Sequence, residues 1–248
     1  TWANVGLADS HHIGRVVIHP DDPDVVYVAA LGHLYSENEE RGLYRTTDGG
    51  ASWEKVLAPM SEGRHIGVVD IAMNPLDPNV LYATIENANK EGMSDEERRQ
   101  ELLNHESSNG MIGGEVYRSD DAGATWRKVN PDDQPIGGQP AYYYGQIVVD
   151  PNDADVVYVL SIATWRSNDG GQTWQGRALG HGGDDHALWV NPEDSDHMIL
   201  GHDHGMGITF DGGANWYHPD FQSLAQFYAI GYDMSYPYRV AGGLQDNG

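Results

Sequence analysis

Apolar residues in this chain come in short, nearly continuous runs rather than long or helically spaced stretches. Runs at 13–18 and 25–28 flank His19-Pro20-Asp21-Asp22-Pro23-Asp24, and the arrangement recurs. A second copy is 66–73, Asn74-Pro75-Leu76-Asp77-Pro78-Asn79 and 80–83; a third is 146–149, Asp150-Pro151-Asn152-Asp153-Ala154-Asp155 and 156–159. A looser fourth surrounds Asn191-Pro192-Glu193-Asp194-Ser195-Asp196, and a fifth begins at Phe227 and reaches Ala241. Apolar runs of this length, bounded by Pro and Asp, predict a strand, a tight turn and a second strand. Their continuity predicts burial on both faces, as between stacked sheets.

A second turn alternates with the first. It reads Thr46-Thr47-Asp48-Gly49-Gly50-Ala51-Ser52-Trp53, then Ser119-Asp120-Asp121-Ala122-Gly123-Ala124-Thr125-Trp126. The third and fourth copies are Ser167-Asn168-Asp169-Gly170-Gly171-Gln172-Thr173-Trp174 and Thr209-Phe210-Asp211-Gly212-Gly213-Ala214-Asn215-Trp216. Each suits a tight hairpin: Asp accepts hydrogen bonds from turn amides, Gly takes positive φ, and Trp clamps the turn onto the sheet. We assign Asp48, Trp53, Asp121, Trp126, Asp169, Trp174, Asp211 and Trp216 to this structural role. The motif is the Asp-box, and the chain resembles the Asp-box β-propellers, which include sialidases, xyloglucanases and sortilin-type receptors.

The expected fold is all-β: a β-propeller of four-stranded blades, each with a Pro/Asp turn between strands one and two and an Asp-box between strands three and four. The Asp-box aspartates are 73 (121−48), 48 (169−121) and 42 (211−169) residues apart. The shorter spacings fit a four-stranded blade of roughly 40–50 residues. The long one requires an insertion, placed at 87–113, where Ser94-Asp95-Glu96-Glu97 is a capping box opening a short surface helix before a Gly-rich return. Counting strands gives four complete blades, the outer strand of an earlier one at 2–5 and the inner pair of a later one. Thr1-Trp2 has the form of the end of a fifth Asp-box. The domain reading is therefore one partial propeller over 1–248, part of a larger ring, with the remaining blades supplied by the parent chain or partner chains.

Composition narrows the function. Gly 31, Trp 7 and Tyr 14 against Phe 3 suit a turn-rich all-β protein. The net charge is −24, from 38 acidic against 14 basic residues. A phosphate backbone would be repelled, so nucleic acid is not an expected partner. With Cys 0 there is neither a disulfide nor a thiolate site. No run of about 18 apolar residues exists, so no membrane span is predicted.

Blade topology also sorts the histidines. The two turn types share one rim, which leaves the other connections together on the opposite face. His11, His12, His65, His181 and His186 fall in or beside blade-to-blade connections; His33, His105, His202 and His204 fall between strands two and three. The same face collects Arg15, Tyr35, Arg64, the run Tyr142-Tyr143-Tyr144, Gln146, Asp184, Asp185, Asp203 and Asp246. Loops on a rigid scaffold are where binding groups gather. The expected ligand-binding residues are His12, Arg15, Arg64, His65, Tyr143, Tyr144, Gln146 and Asp246.

Two chemistries compete within that face. His186, His202, Asp203 and His204 combine imidazoles with a carboxylate and can hold a divalent transition metal, while the aspartates alone suit Ca²⁺. The other reading of these residues is a hydrogen-bonded polar rim, and no cofactor is certain. Glycoside hydrolysis needs two carboxyl groups across a sugar, and Asp70, Asp184 and Asp185 are the candidates. Asp70 is chosen because it interrupts an apolar strand. Xyloglucanases of the Asp-box class use an aspartate pair, so the resemblance permits this chemistry. Sialidases need an arginine triad and a nucleophilic Tyr, and Arg15, Arg64 and Arg239 do not reproduce that pattern.

A closer resemblance lies in His12-Ile13-Gly14-Arg15, Tyr27-Val28-Ala29-Ala30-Leu31-Gly32-His33, Asn38-Glu39-Glu40-Arg41-Gly42, Asp185-His186-Ala187-Leu188-Trp189-Val190-Asn191-Pro192 and Gln245-Asp246-Asn247-Gly248. These look like the large bacterial proteins described as sortilin-like or BNR-repeat glycosyl-hydrolase-like. That resemblance implies an exported, extracytoplasmic protein with two propellers, of which this chain is the later part of the first. His202-Asp203-His204-Gly205 departs from the plainer Asn/Asp-Gly-Gly stretch of that pattern. The preferred function is a binding module for a protein, peptide or glycan, the alternative a glycoside hydrolase.

Overall fold

The computed structural model describes residues 3–33, 36–61, 63–90, 94, 96–97, 111–137, 143–176, 183–203, 205–219 and 227–244. The chain divides into two units, Thr1–Tyr217 and His218–Gly248.

The first unit is a series of antiparallel sheets in which each strand pairs with its sequence neighbour. The first sheet orders β1 (His12–Ile18), β2 (Val26–Gly32), β3 (Gly42–Thr46) and β4 (Glu54–Leu57). A two-stranded ribbon, β5 (Met60–Ser61) and β6 (Arg64–His65), leads to the second sheet. That sheet holds β7 (Gly67–Met73), β8 (Leu81–Lys90), β9 (Met111–Ser119) and β10 (Arg127–Lys128). The third holds β11 (Ile147–Asp150), β12 (Asp153–Val159), β13 (Trp165–Ser167) and β14 (Gln175–Gly176). The fourth has β15 (Asp185–Asn191), β16 (Asp194–His202) and β17 (Gly205–Thr209), extended by a bridge between Ile208 and Tyr217. The second unit contributes one antiparallel hairpin, β18 (Phe227–Tyr232) and β19 (Val240–Leu244). This is the partial propeller that the repeats predict. Among the described residues only Glu96 and Glu97 are helical, and no helix is long and apolar enough to cross a membrane.

The repeated turns have one hydrogen-bond plan. In the first copy Thr46 Oγ1 donates to Asp48 Oδ1 at 2.7 Å and accepts from Gly50 N at 2.9 Å. Asp48 then accepts from Ser52 N at 2.9 Å and Ser52 Oγ at 2.6 Å. Ser119, Asp121, Gly123 and Thr125 repeat every bond, as do Ser167, Asp169, Gly171 and Thr173. In the fourth copy Asn215 Nδ2 replaces the second hydroxyl, reaching Asp211 Oδ2 at 2.7 Å. Each turn is tied to the Pro/Asp turn of its own sheet, through Gly49 N to Asp24 O, Ala122 N to Asn79 O, Gly170 N to Asp155 O and Gly212 N to Asp196 O, at 2.9–3.0 Å. Both turn types therefore share one rim.

Successive sheets pack through three apolar clusters. Tyr27, Ala29 and Leu43 meet Val68, Ile71 and Leu81; Tyr82 and Val116 meet Ile147, Val149 and Val157; Tyr158 and Leu160 meet Val190, Met198 and Leu200. Burying a side chain of this size stabilises by about 2 kcal/mol. Trp126, Trp174 and Trp216 join these same clusters, and their indole nitrogens donate to Gly123, Gly171 and Gly213 carbonyls.

Two details differ from the sequence reading. Residues 3–5 form no strand, yet Val5 lies 3.2 Å from the position a Cβ on Gly50 would take, as Val129 lies beside Gly171. Trp53 Nε1 donates to Val5 O at 2.9 Å instead of to its own turn. The segment thus takes an outer strand's place without its ladder. In the 87–113 segment, β8 and β9 continue their antiparallel ladder, pairing Asn87 with Gly113 and Lys90 with Met111. Within the expected Gly-rich return, Gly113 and Gly114 lie in β9, and a Cβ on Gly114 would meet Ile136 O at 1.8 Å, so close approach explains that glycine. Ser94 and Glu97 bond reciprocally as a capping box does, while the rest of the expected helix lies outside the described residues.

Candidate functional site

Register places the second face. His12 pairs with Gly32 and Asp185 with His202, so first strands begin where second strands end, away from the rim of turns. At the first sheet His12 Nδ1 lies 3.0 Å from Gly32 O, and the His11 and His33 rings stack at 3.5 Å. Arg64 Nε sits 3.9 Å from Glu37 Oε1, and His65 lies in the small ribbon, paired with Met60. Arg41 is buried and donates to the carbonyls of His33, Ser36 and His65, stapling two connections together. Arg41 falls in Asn38-Glu39-Glu40-Arg41-Gly42, one of the stretches that carry the closer resemblance, but nothing local in that charged run marks it as buried.

Asp70 sits in β7 at 3% exposure. Its Oδ1 accepts from Arg15 Nε at 2.7 Å and Ile71 N at 2.8 Å; Oδ2 accepts from Arg15 Nη2 and Ile147 N, each at 3.1 Å. One carboxylate therefore joins the first strands of three consecutive sheets. The ion pair holds the Arg15 guanidinium above its ordinary pKa. Asp185, also buried, accepts from Thr164 N at 3.1 Å and Thr164 Oγ1 at 2.6 Å through Oδ2. Thr164 was not among the expected residues.

The remaining expected groups converge between the third and fourth sheets. Tyr144 is buried and donates its hydroxyl to Asp184 Oδ1 at 2.7 Å. Burial first, then the Asp184 bond and the charge of Asp184, push the Tyr144 phenol pKa well up, so it stays a donor. Asp184 adopts φ 59, a left-handed conformation rare for a non-glycine residue, and its carbonyl accepts from Asp203 N at 3.2 Å. His186 stacks on Tyr144 at 5.5 Å and meets the Tyr143 ring edge-on at 4.7 Å. Its Nε2 lies 3.4 Å from Asp203 Oδ1. Gln146 Nε2 donates to Tyr143 O, while its buried Oε1 has no donor among the described residues. The result is a compact cluster of three rings and two part-exposed carboxylates.

The structure does not bring every expected group together. Asp246, His204, Tyr35, Tyr142, His105 and His181 lie outside the described residues. Among the described residues no group of three or more His, Asp or Glu side chains is arranged to hold a metal ion.

No family model matches the chain. In sequence it is 27% identical over 180 residues to a xyloglucanase of Hypocrea jecorina, covering 70% of this chain and 19% of that protein. It thus spans about a fifth of that relative's length. Among solved structures it resembles the GH74 xyloglucanase from Xanthomonas campestris, with TM-score 0.61 and 17% identity, covering 93% of this chain and 33% of that one. It also resembles YCF48 bound to D1 peptide, with TM-score 0.57 and 14% identity over 97% of this chain and 64% of that one. At such identities the structural likeness speaks for the fold alone: this chain is built as β-propellers are.

Proposed function

We propose that the chain forms the ligand-facing part of a glycan-binding β-propeller, with Tyr143, Tyr144, Asp184, His186 and Asp203 as its binding cluster. The cluster's geometry carries this reading. The part-exposed Tyr143 and His186 rings offer surface to sugar C–H groups, the buried Tyr144 holds Asp184, and the two carboxylates accept from hydroxyls. The xyloglucanase relative supports a glycan over a protein or peptide ligand. In this reading the four repeated turns are Asp-boxes, the 87–113 segment is an insertion, and the protein works outside the cytoplasm in the manner of sortilin-like repeat proteins. Calorimetric titration of the full chain with xyloglucan oligosaccharides tests it. Binding that falls at least tenfold in His186→Ala and Tyr143→Ala, at unchanged melting temperature, supports the assignment. No binding across neutral, amine-bearing and acidic glycans overturns it.

Hydrolysis is the second reading, favoured by the same relative. Asp70 and Asp185 are committed to buried hydrogen bonds, which leaves Asp184 from the expected set, with Asp203 as the second carboxyl this chemistry requires. Release of reducing sugar that disappears in Asp184→Asn while oligosaccharide still binds would establish it.

A further inference from the structure

The cluster between the third and fourth sheets is one-sided in its chemistry. Its two aspartates are linked through the backbone, Asp203 N donating to Asp184 O at 3.2 Å, while Asp203 Oδ1 lies 3.4 Å from His186 Nε2 and Asp184 Oδ1 accepts from the Tyr144 hydroxyl at 2.7 Å. Each charged or phenolic group acting on the Tyr144 hydroxyl, namely Asp184, Tyr143 and Asp203, pushes its pKa the same way, up. Around these acceptors stand the faces and edges of Tyr143, Tyr144 and His186. Carboxylates set against aromatic rings stabilise an ammonium by direct attraction and by cation–π contact. They repel a carboxylate or sulfate, and the net charge of −24 adds to that repulsion.

Resting on the glycan reading above, we propose that this cluster selects an amine-bearing saccharide over its acetylated or acidic counterpart. A hydroxyl can satisfy one carboxylate oxygen, but only an ammonium also neutralises charge while lying against the rings.

Titration of the full chain with glucosamine oligomers, their N-acetylated forms, galacturonic acid oligomers and xyloglucan oligosaccharides tests the selection. The expected result is binding of the amine form about tenfold tighter than the acetylated form, at two screened carboxylate contacts. The acidic oligomer should bind weakest. The amine-to-acetyl ratio should shrink at 0.5 M salt, and shrink towards one in Asp184→Asn/Asp203→Asn. Equal affinity of amine and acetylated oligomers overturns the selection while leaving glycan binding intact. Failure of every oligomer to bind, the xyloglucan fragments included, overturns both. The comparison on the unaltered chain needs no variant to fold.

Discussion

Arg15 grips Asp70 through two nitrogens, at 2.7 and 3.1 Å, although 55 residues separate them. The carboxylate is buried while the guanidinium side chain is 49% exposed, so the two partners are not equivalent. Removing Arg15 leaves a buried charge with only the amides of Ile71 and Ile147. Removing the charge of Asp70 leaves Arg15 free to turn to solvent. We therefore expect Arg15→Ala to destabilise by about 3 kcal/mol and Asp70→Asn by somewhat less. At this size 3 kcal/mol lowers the melting temperature by roughly 6–12 °C. Glu54→Gln, which breaks a pair whose carboxylate is 69% exposed, should shift it far less. Thermal denaturation of the three variants checks the order, and equal shifts would mean that Asp70 is no strut.

The acid limit of stability should come from the repeated turns. Hydrogen bonds from Ser52 hold the Asp48 carboxyl down at about 2, and those from Thr125 do the same for Asp121. Both are depressed relative to an unfolded Asp near 3.8. A depressed folded pKa adds stability that is present above the unfolded value and lost as pH falls through the folded one. Melting temperature should therefore hold down to about pH 4 and drop between 4 and 2. Asp48→Asn and Asp121→Asn together should be less stable at pH 7 and show a shallower acid slope. An unchanged slope would assign the acid sensitivity elsewhere.

The turns were legible because each residue in them meets a local demand: a hydroxyl and a carboxylate to cap amides, a glycine for positive φ, an indole to cover the turn. The four-stranded repeat follows from their spacing. Pairings across sheets were not legible. Arg15 with Asp70, Thr164 with Asp185 and Tyr144 with Asp184 join residues 55, 21 and 40 positions apart, and no local pattern links them. Asp70 stands out in the sequence as a carboxylate in an apolar strand, yet that anomaly cannot distinguish a strut from a catalytic group. Topology predicts a face crowded by histidines, but which of them adjoin a carboxylate depends on side-chain packing.

Ala122 takes φ 54 where Gly49, Gly170 and Gly212 occupy the equivalent place with φ 67 to 70. A left-handed alanine costs about 1–2 kcal/mol, against 0.5–1 kcal/mol for the extra freedom a glycine loses on folding. Ala122→Gly should therefore stabilise by about 0.5–1 kcal/mol. The amide bond to Asn79 O and the carbonyl that accepts from Tyr27 are backbone groups, so the substitution leaves both in place. Urea denaturation at constant m-value measures the gain, and a loss would mean that the alanine methyl contributes packing that outweighs its strain.

Tyr27 and Tyr82 occupy matching places in β2 and β8 and reach the following sheet, but with different support. The Tyr27 hydroxyl donates to Ala122 O at 2.8 Å, and Arg45 Nη1 donates to the same oxygen at 2.9 Å. The acceptor stays satisfied when the hydroxyl is removed, so Tyr27→Phe should cost about 0.5 kcal/mol. Tyr82 donates to Ala154 O at 3.0 Å and accepts from Arg118 Nη1 at 2.6 Å. Without that hydroxyl the Ala154 carbonyl loses its donor and Arg118 loses one of its acceptors, keeping Asp155 at 2.5 Å. Tyr82→Phe should thus cost about 1–2 kcal/mol, and Arg118→Ala at least as much, because its aliphatic stem and ring contact go with its charge. Tyr82→Phe made in the Arg118→Ala background should cost less than it does alone, since the two groups share one network. Additive losses in that double-mutant cycle would show that the tyrosine and the arginine join the sheets independently.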